Sequence, residues 1–337
     1  MANRIQRTSV DLGPHCGQRP HHARLNLPPI PASIMNDTSY LARNATSNSV
    51  EVLRNLPYAS ATVRWTSPTP ALRTLSMDVY LPRGSDTTSP RPALVMAFGG
   101  AFHRGCKEDD SFEAEGKNTA VAEYCRRFAE RGYVTASIDY RLVTEDPSPG
   151  STPVVHNPQD IPTSRVSHVR KLMGLPPATP QMLWAGIEAA SDDMANAIAF
   201  VHSKATEWNI NPQCVVAGGF SAGARTALNA AFGEKARVAA VVSLSGYIDT
   251  TDLKAHGLSG PHAPAVLLIH GSDDLDYIVE NTPALTTCLQ ELGIRHQQAV
   301  VDNAGHFYPR TALVQGHGLP PGQAVEQTIV DFLESVL

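Results

Sequence analysis

The sequence predicts an α/β protein, with a mostly parallel central sheet flanked by helices and one inserted, lid-like segment. Three observations predict it. Short, continuously apolar runs such as Ala93-Leu94-Val95-Met96-Ala97-Phe98 alternate with segments of helical period, as do strands buried on both faces and the helices that connect them. The run Cys214 to Gly218 passes through Gly219-Phe220-Ser221-Ala222-Gly223 into helical composition, so strand, tight turn and helix follow within a few residues. The 337 residues, 42% hydrophobic and 18% charged, suffice for one large domain, and neither an internal repeat nor a second-domain boundary interrupts them.

Residues 1–48 are rich in Pro, Asn, Ser, Thr and His and read as an extended or partly disordered arm. Its His15, His21 and His22 lack the carboxylate or Cys pattern that would complete a metal site, and a solvated tail is the ordinary reading. The domain then runs over 49–337. Val50 to Leu56 and Leu75 to Leu81 read as strands, the second with period two. After the buried strand ending at Phe98, a glycine turn leads to a helix over 118–131 and a strand from Tyr133 to Ile138. Residues 143–182 break the rhythm with eight prolines and only a short helical piece around Val166 to Met173. An excursion of that length beside a strand end is expected to act as a lid or pocket wall. A long helix follows, with Trp184, Ile187, Met194, Ile198 and Val201 on one face. Strands are expected at Val238 to Leu244, Ala265 to His270 and Gln298 to Val301. Helices are expected from Pro283 to Leu292 and from Val325 to Val336.

A serine at the apex of a strand–turn–helix, with glycines two positions to either side, has the form of a nucleophile elbow. The hydroxyl of Ser221 is a poor nucleophile unless a base adjoins it. Among the histidines, His306 in Ala304-Gly305-His306-Phe307 lies just past a strand, on the edge where parallel sheets place their sites. His202 falls in a helix, His103 sits beside the glycine turn, and His270 ends a strand. An acid that orients the imidazole should follow the strand Ala265 to His270, where Asp273, Asp274 and Asp276 all qualify. Negative charge developing on a substrate oxygen needs backbone N–H donors. Ala222, directly after the serine, supplies one, and Gly100 and Ala101 in the glycine turn supply others, with Gly99 the alternative. A Gly-Gly pair could also cradle phosphate, but neither Gly-x-Gly-x-x-Gly nor Gly-Lys-Ser/Thr occurs, so nucleotide binding is not expected.

Together these residues resemble the α/β-hydrolase superfamily and, within it, serine carboxylesterases related to the hormone-sensitive-lipase and feruloyl/acetylxylan-esterase groups. The resemblance runs from about residue 70 onward, excluding 143–182. It rests on Met77 to Pro82, Phe98-Gly99-Gly100-Ala101-Phe102, Asp139-Tyr140-Arg141-Leu142, the elbow, His270-Gly271-Ser272-Asp273-Asp274 and Ala304-Gly305-His306. The family register implies Asp274 as the acid, with Asp276 its rival. The sequence departs from the family at Phe98, which stands where the family's oxyanion motif begins with histidine. Arg225, in the helix behind the serine, carries a charge whose ordinary role would be an ion pair within the fold.

The expected chemistry is hydrolysis of carboxylic esters through an acyl-enzyme intermediate, with Ser221, His306 and Asp274 as catalytic triad and Gly100, Ala101 and Ala222 as oxyanion hole. A lactonase, amidase or peptidase would use the same machinery, and a non-catalytic ligand-binding protein on the same scaffold is the alternative from another class. No metal or organic cofactor is implied, and the partner is a small-molecule ester. A net charge of −5 without a basic stripe argues against nucleic acid, and no apolar run approaches the roughly 20 residues of a membrane span. With no secretory signal visible and five scattered cysteines, a cytoplasmic location is expected, and a homodimer is compatible with all of this.

Overall fold

The computed structural model describes residues 49–83, 89–112 and 117–337; the expected N-terminal arm, with its histidines, lies outside them. The apolar runs become the middle of a nine-stranded sheet. Its first two strands, β1 (Ser49–Val63) and β2 (Ala71–Arg83), form an antiparallel hairpin, and β2 pairs antiparallel with β4 (Val134–Ile138). Strand β3 (Arg91–Ala97) lies between β4 and β5 (Ile210–Phe220). Beyond β5 come β6 (Ala240–Leu244), β7 (Ala265–Gly271) and β8 (His296–Val301), all parallel. The two-residue β9 (Val314–Gln315) closes the far edge antiparallel to β8. The order β1-β2-β4-β3-β5-β6-β7-β8-β9 and the parallel centre are those of the α/β-hydrolase fold.

Every residue of β4, β6 and β7 is buried, which is why those segments read as unbroken apolar runs rather than as alternating ones. The flanking helices are α1 (Val121–Glu130), α2 (Ser164–Leu172), α3 (Pro180–Ser203), α4 (Ala222–Phe232), α5 (Thr250–Ala255), α6 (Asp276–Glu291) and α7 (Val325–Val336). Helix α4, between sheet and α3, has all its residues buried. Its Ala- and Gly-rich composition follows from that double contact, since small side chains let it approach the sheet closely.

Two elements depart most from their sequence-based bounds, and two others were not expected. Strand β1 extends to Val63 because Asn55, at φ 53°, makes a bulge that resets the register between Leu53 and Leu56. The N–H of Asn55 donates to buried Asp78 (2.8 Å), which also pairs with Arg54. Helix α6 starts at Asp276, before Pro283 rather than at it. The proline lies on the helix's exposed side, where water can take the carbonyl left without a donor, while Ile278, Thr282 and Leu285 stay buried. Helix α5 and strand β9 are too short to show a period.

The excursion after β4 is tied to the body at several points. Arg141, buried, binds Asp193 of α3 through Nε and Nη2 (3.0 and 2.8 Å) and donates to Ser148 O (3.0 Å). Glu188 of α3 accepts from the N–H groups of Val154 and Val155 (both 2.9 Å), and Asp252 of α5 accepts from that of His156 (2.6 Å). The segment is thereby folded back over the C-terminal edge of the sheet.

Candidate active site

Ser221 stands between β5 and α4 with φ 54° and ψ −116°, a conformation strained for any residue with a Cβ. Its N–H donates to Leu244 O (2.7 Å) on β6, which fixes the turn to the sheet. A Cβ on Gly223 would fall inside the Ala97 carbonyl, and one on Gly219 would sit 2.7 Å from the same oxygen. The end of β3 and the start of α4 can touch only because both positions are glycine.

The loop after β8 brings His306 to this apex, where its Nε2 lies 2.8 Å from Ser221 Oγ and its Nδ1 2.6 Å from Asp274 Oδ1. A carboxylate can only accept there, so Nδ1 bears the proton and the Nε2 lone pair faces the hydroxyl. The imidazole sits between Phe220 and Phe307, with ring centroids 5.3 and 5.1 Å away. Asp274 lies in the turn after β7. Asp273 and Asp276 are exposed, and Asp276 opens α6.

Asp274 also accepts from Ser245 Oγ (2.6 Å), Leu275 N–H (2.7 Å) and Gly271 N–H (3.2 Å). Burial would push its carboxyl up. The hydrogen bond and charge of His306, with those further donors, outweigh that and hold it below the ordinary carboxylate range. Ser245, just after β6, takes φ 51° and lies 3.1 Å from the Tyr308 hydroxyl, which donates to Ile269 O (2.9 Å). Sequence reasoning missed Ser245 and Tyr308, and no motif flags them. Their role comes from three strand ends converging.

The glycine turn after β3 holds Gly100, Ala101 and Phe102 at φ 132°, 56° and 60°. The N–H of Gly99 donates to Asp110 Oδ2 (2.7 Å) and is therefore spent, which leaves Gly100 and Ala101 as the donors on this side. Asp110 is buried, and burial pushes its carboxyl up to about 7, against the donors Gly99 and Val121. In place of the family's histidine, Phe98 stacks on Tyr140 (centroids 4.3 Å), whose hydroxyl donates to Phe98 O (2.8 Å). A histidine does brace the turn, but from further along the chain. His103 Nδ1 lies 2.7 Å from Ala101 O, and Arg170 of α2 donates to His103 Nε2 (2.9 Å). Burial, with the Arg170 charge, lowers the His103 pKa and so favours the neutral ring this arrangement needs.

Ser221, Ala222, Ala101 and Phe102 open on a cleft continuous with solvent. Ile161, Pro162, Arg165 and Val166 of the excursion form one wall, and Tyr247, Tyr277 and Ile278 another. Arg225 also faces the cleft and, among the described residues, makes no ion pair, contrary to the ordinary expectation for it. Among the described residues no group of three or more His, Cys, Asp or Glu is gathered to bind a metal, and no helix is long and apolar enough to cross a membrane.

Fold and site together define an α/β-hydrolase. Family models match two parts of the chain: BD-FAE over residues 77–156 and Phospholipase/Carboxylesterase over 172–315. These matches and the fold support an α/β-hydrolase carboxylesterase, as the sequence resemblance implied. No curated protein matches it. Similar solved structures include esterase 2 of the planctomycete Thermogutta terrifontis phosphoramylated by tabun, at 16% identity and TM-score 0.52, covering 88% of this chain and 98% of that one. A propionate-bound form (16%, TM-score 0.52, 88% and 97%) and one phosphorylated by paraoxon (17%, TM-score 0.51, 89% and 98%) are similar too. At these identities the likeness is one of fold.

Proposed function

We propose that Ser221 attacks the carbonyl carbon of a carboxylic ester, and that His306, oriented by Asp274, takes the serine proton and returns it to the leaving alcohol. Water then attacks the acyl-enzyme through the same imidazole and releases the acid. The N–H groups of Gly100, Ala101 and Ala222 stabilise the oxyanion of both tetrahedral intermediates. The observation that carries this reading is the continuous relay of 2.8 Å from Ser221 Oγ to His306 Nε2 and 2.6 Å from His306 Nδ1 to Asp274, at the mouth of an open cleft. A binding-only protein would have no use for a strained serine held against a neutral imidazole. In the same reading residues 143–182 wall the cleft and select the substrate. The partner is a small ester rather than a nucleic acid, and the enzyme acts in the cytoplasm, alone or as a homodimer.

Titration with a fluorescent alkylphosphonate tests the proposal. One equivalent should attach to Ser221, with release of the leaving group, and Ser221→Ala should take none. Labelling elsewhere, or none in protein that is folded, would refute it.

A further inference from the structure

Helix α4 carries a cation into the cleft directly behind the nucleophile. Arg225 lies one turn past Ser221, its backbone N–H donating to Ser221 O (3.1 Å), and the residue is only 7% exposed. A buried guanidinium is ordinarily neutralised by a carboxylate with matching geometry. Arg225 has none. Its side chain makes one long hydrogen bond, from Nη1 to the Tyr247 hydroxyl (3.4 Å), and its Cζ lies 5.1 Å from the centre of that ring. Nε is buried with no acceptor at all. Asp252 is close enough to feel the charge but makes no ion pair with Arg225, and its Oδ1 accepts from the N–H of His156 (2.6 Å).

Nη1 faces Tyr247 and Nε is enclosed, so the N–H groups of Nη2 are the ones left to meet a ligand, and a carboxylate is the acceptor a guanidinium pairs with best. Among the described residues that line the cleft there is no Asp or Glu. Tyr247, Tyr277, Ile161 and Ile187 make the rest of the surface largely apolar. That combination disfavours a cationic substrate and leaves an anion as the group that completes the site.

We propose that the cleft is built for esters that carry a carboxylate, the carboxylate pairing with Nη2 of the Arg225 guanidinium while the ester carbonyl meets Ser221. This rests on the ester-hydrolase reading and names the substrate class within it. A site that must satisfy a buried donor rejects the analogue lacking the acceptor.

Two matched substrate pairs test it, since the carboxylate could sit on either side of the scissile bond: 4-nitrophenyl hemiglutarate against 4-nitrophenyl valerate, and 4-acetoxybenzoate against 4-acetoxybenzamide. In wild type, kcat/KM for the charged member of at least one pair should exceed that of its neutral partner on the order of 10- to 100-fold. Arg225→Gln should reduce that ratio at least tenfold, with Arg225→Lys in between because it keeps the charge but loses the planar guanidinium. The ratio is internal to each protein, so partial loss of folded enzyme does not affect it. Neutral partners favoured in both pairs, or a ratio indifferent to Arg225→Gln, would overturn the proposal. Thermal stabilisation by glutarate reads the anion site without turnover. Wild type should melt higher with glutarate and Arg225→Gln should not. Stabilisation without hydrolysis of any ester would overturn the ester-hydrolase reading and leave the anion site standing, whereas hydrolysis with neither preference nor stabilisation would do the reverse.

Discussion

At the scale of single residues, the site joins one strained backbone to one fully occupied carboxylate. Ser221→Ala should lower kcat on the order of 10⁴- to 10⁶-fold, measured on protein free of wild type, while circular dichroism stays unchanged. The left-handed φ of Ser221 costs about 1–3 kcal/mol in any residue with a Cβ, so Ser221→Gly should melt above Ser221→Ala, although both are inactive. Asp274→Asn presents an amide where His306 Nδ1 needs an acceptor and favours the wrong tautomer. Its kcat should fall on the order of 10⁴-fold, and Asp276→Asn at the exposed start of α6 should stay near wild type. A reversed ranking of the two would mean that Asp274 is not the orienting acid. Ser221 and His306 are legible in the sequence because local motifs surround them. Asp274 needed a family register to separate it from two neighbouring carboxylates. Ser245 and the Arg170–His103 brace were not legible, because each makes its contact across a sequence separation of 29 or 67 residues, with no local pattern to mark it.

At the scale of elements, the excursion between β4 and α3 does two things at once. Through Ile161, Pro162 and Val166 it walls the cleft, and through Arg170 it reaches the turn after β3. Removing it whole would therefore confuse pocket shape with oxyanion geometry, and smaller changes separate them. The pair Ile161→Ala and Val166→Ala should deepen the wall without touching Arg170. Along a series of 4-nitrophenyl esters, kcat/KM should then shift toward longer acyl chains, on the order of tenfold for each well-placed methylene or two. An unchanged profile in the folded double variant would mean that the acyl chain never meets this wall. The sequence showed that the segment was long, Pro-rich and inserted at a strand's C-terminal end. It could not show which side chains turn inward, because an excursion of turns and one short helix has no period to read. Pro283 misled for the opposite reason. It is a strong local start signal, overruled because the buried face of α6 continues on both sides of it.

For the whole molecule, the parallel centre of the sheet was the most legible feature, since strands buried on both faces declare themselves as apolar runs. The edges were the least legible: β1 carries polar residues and a bulge, and β9 has two residues. The global stability should bear the mark of Asp110 beneath the oxyanion turn. With its carboxyl raised to about 7 in the fold from an ordinary 3.8, the native state keeps a proton that the unfolded chain has already lost between those values. Stability should therefore decline as pH rises from about 4 to 7, and Asp110→Asn should flatten that part of the curve relative to wild type. Denaturant titrations at intervals across this range read the difference, and parallel curves would exclude Asp110 as its source.

The glycine contact between the end of β3 and the start of α4 has a consequence for how this architecture can change. The Ser221 hydroxyl and the proposed oxyanion donors are carried on segments that meet main chain against main chain at Gly219 and Gly223. The walls of the cleft come from other parts of the chain, chiefly 161–166 and 277–278. Away from Arg170, which ties the excursion to the turn after β3, the proposed reaction geometry and the cleft walls are separate modules. The second can be rewritten at several positions while the first stays in register, and the first has almost no substitutions open to it.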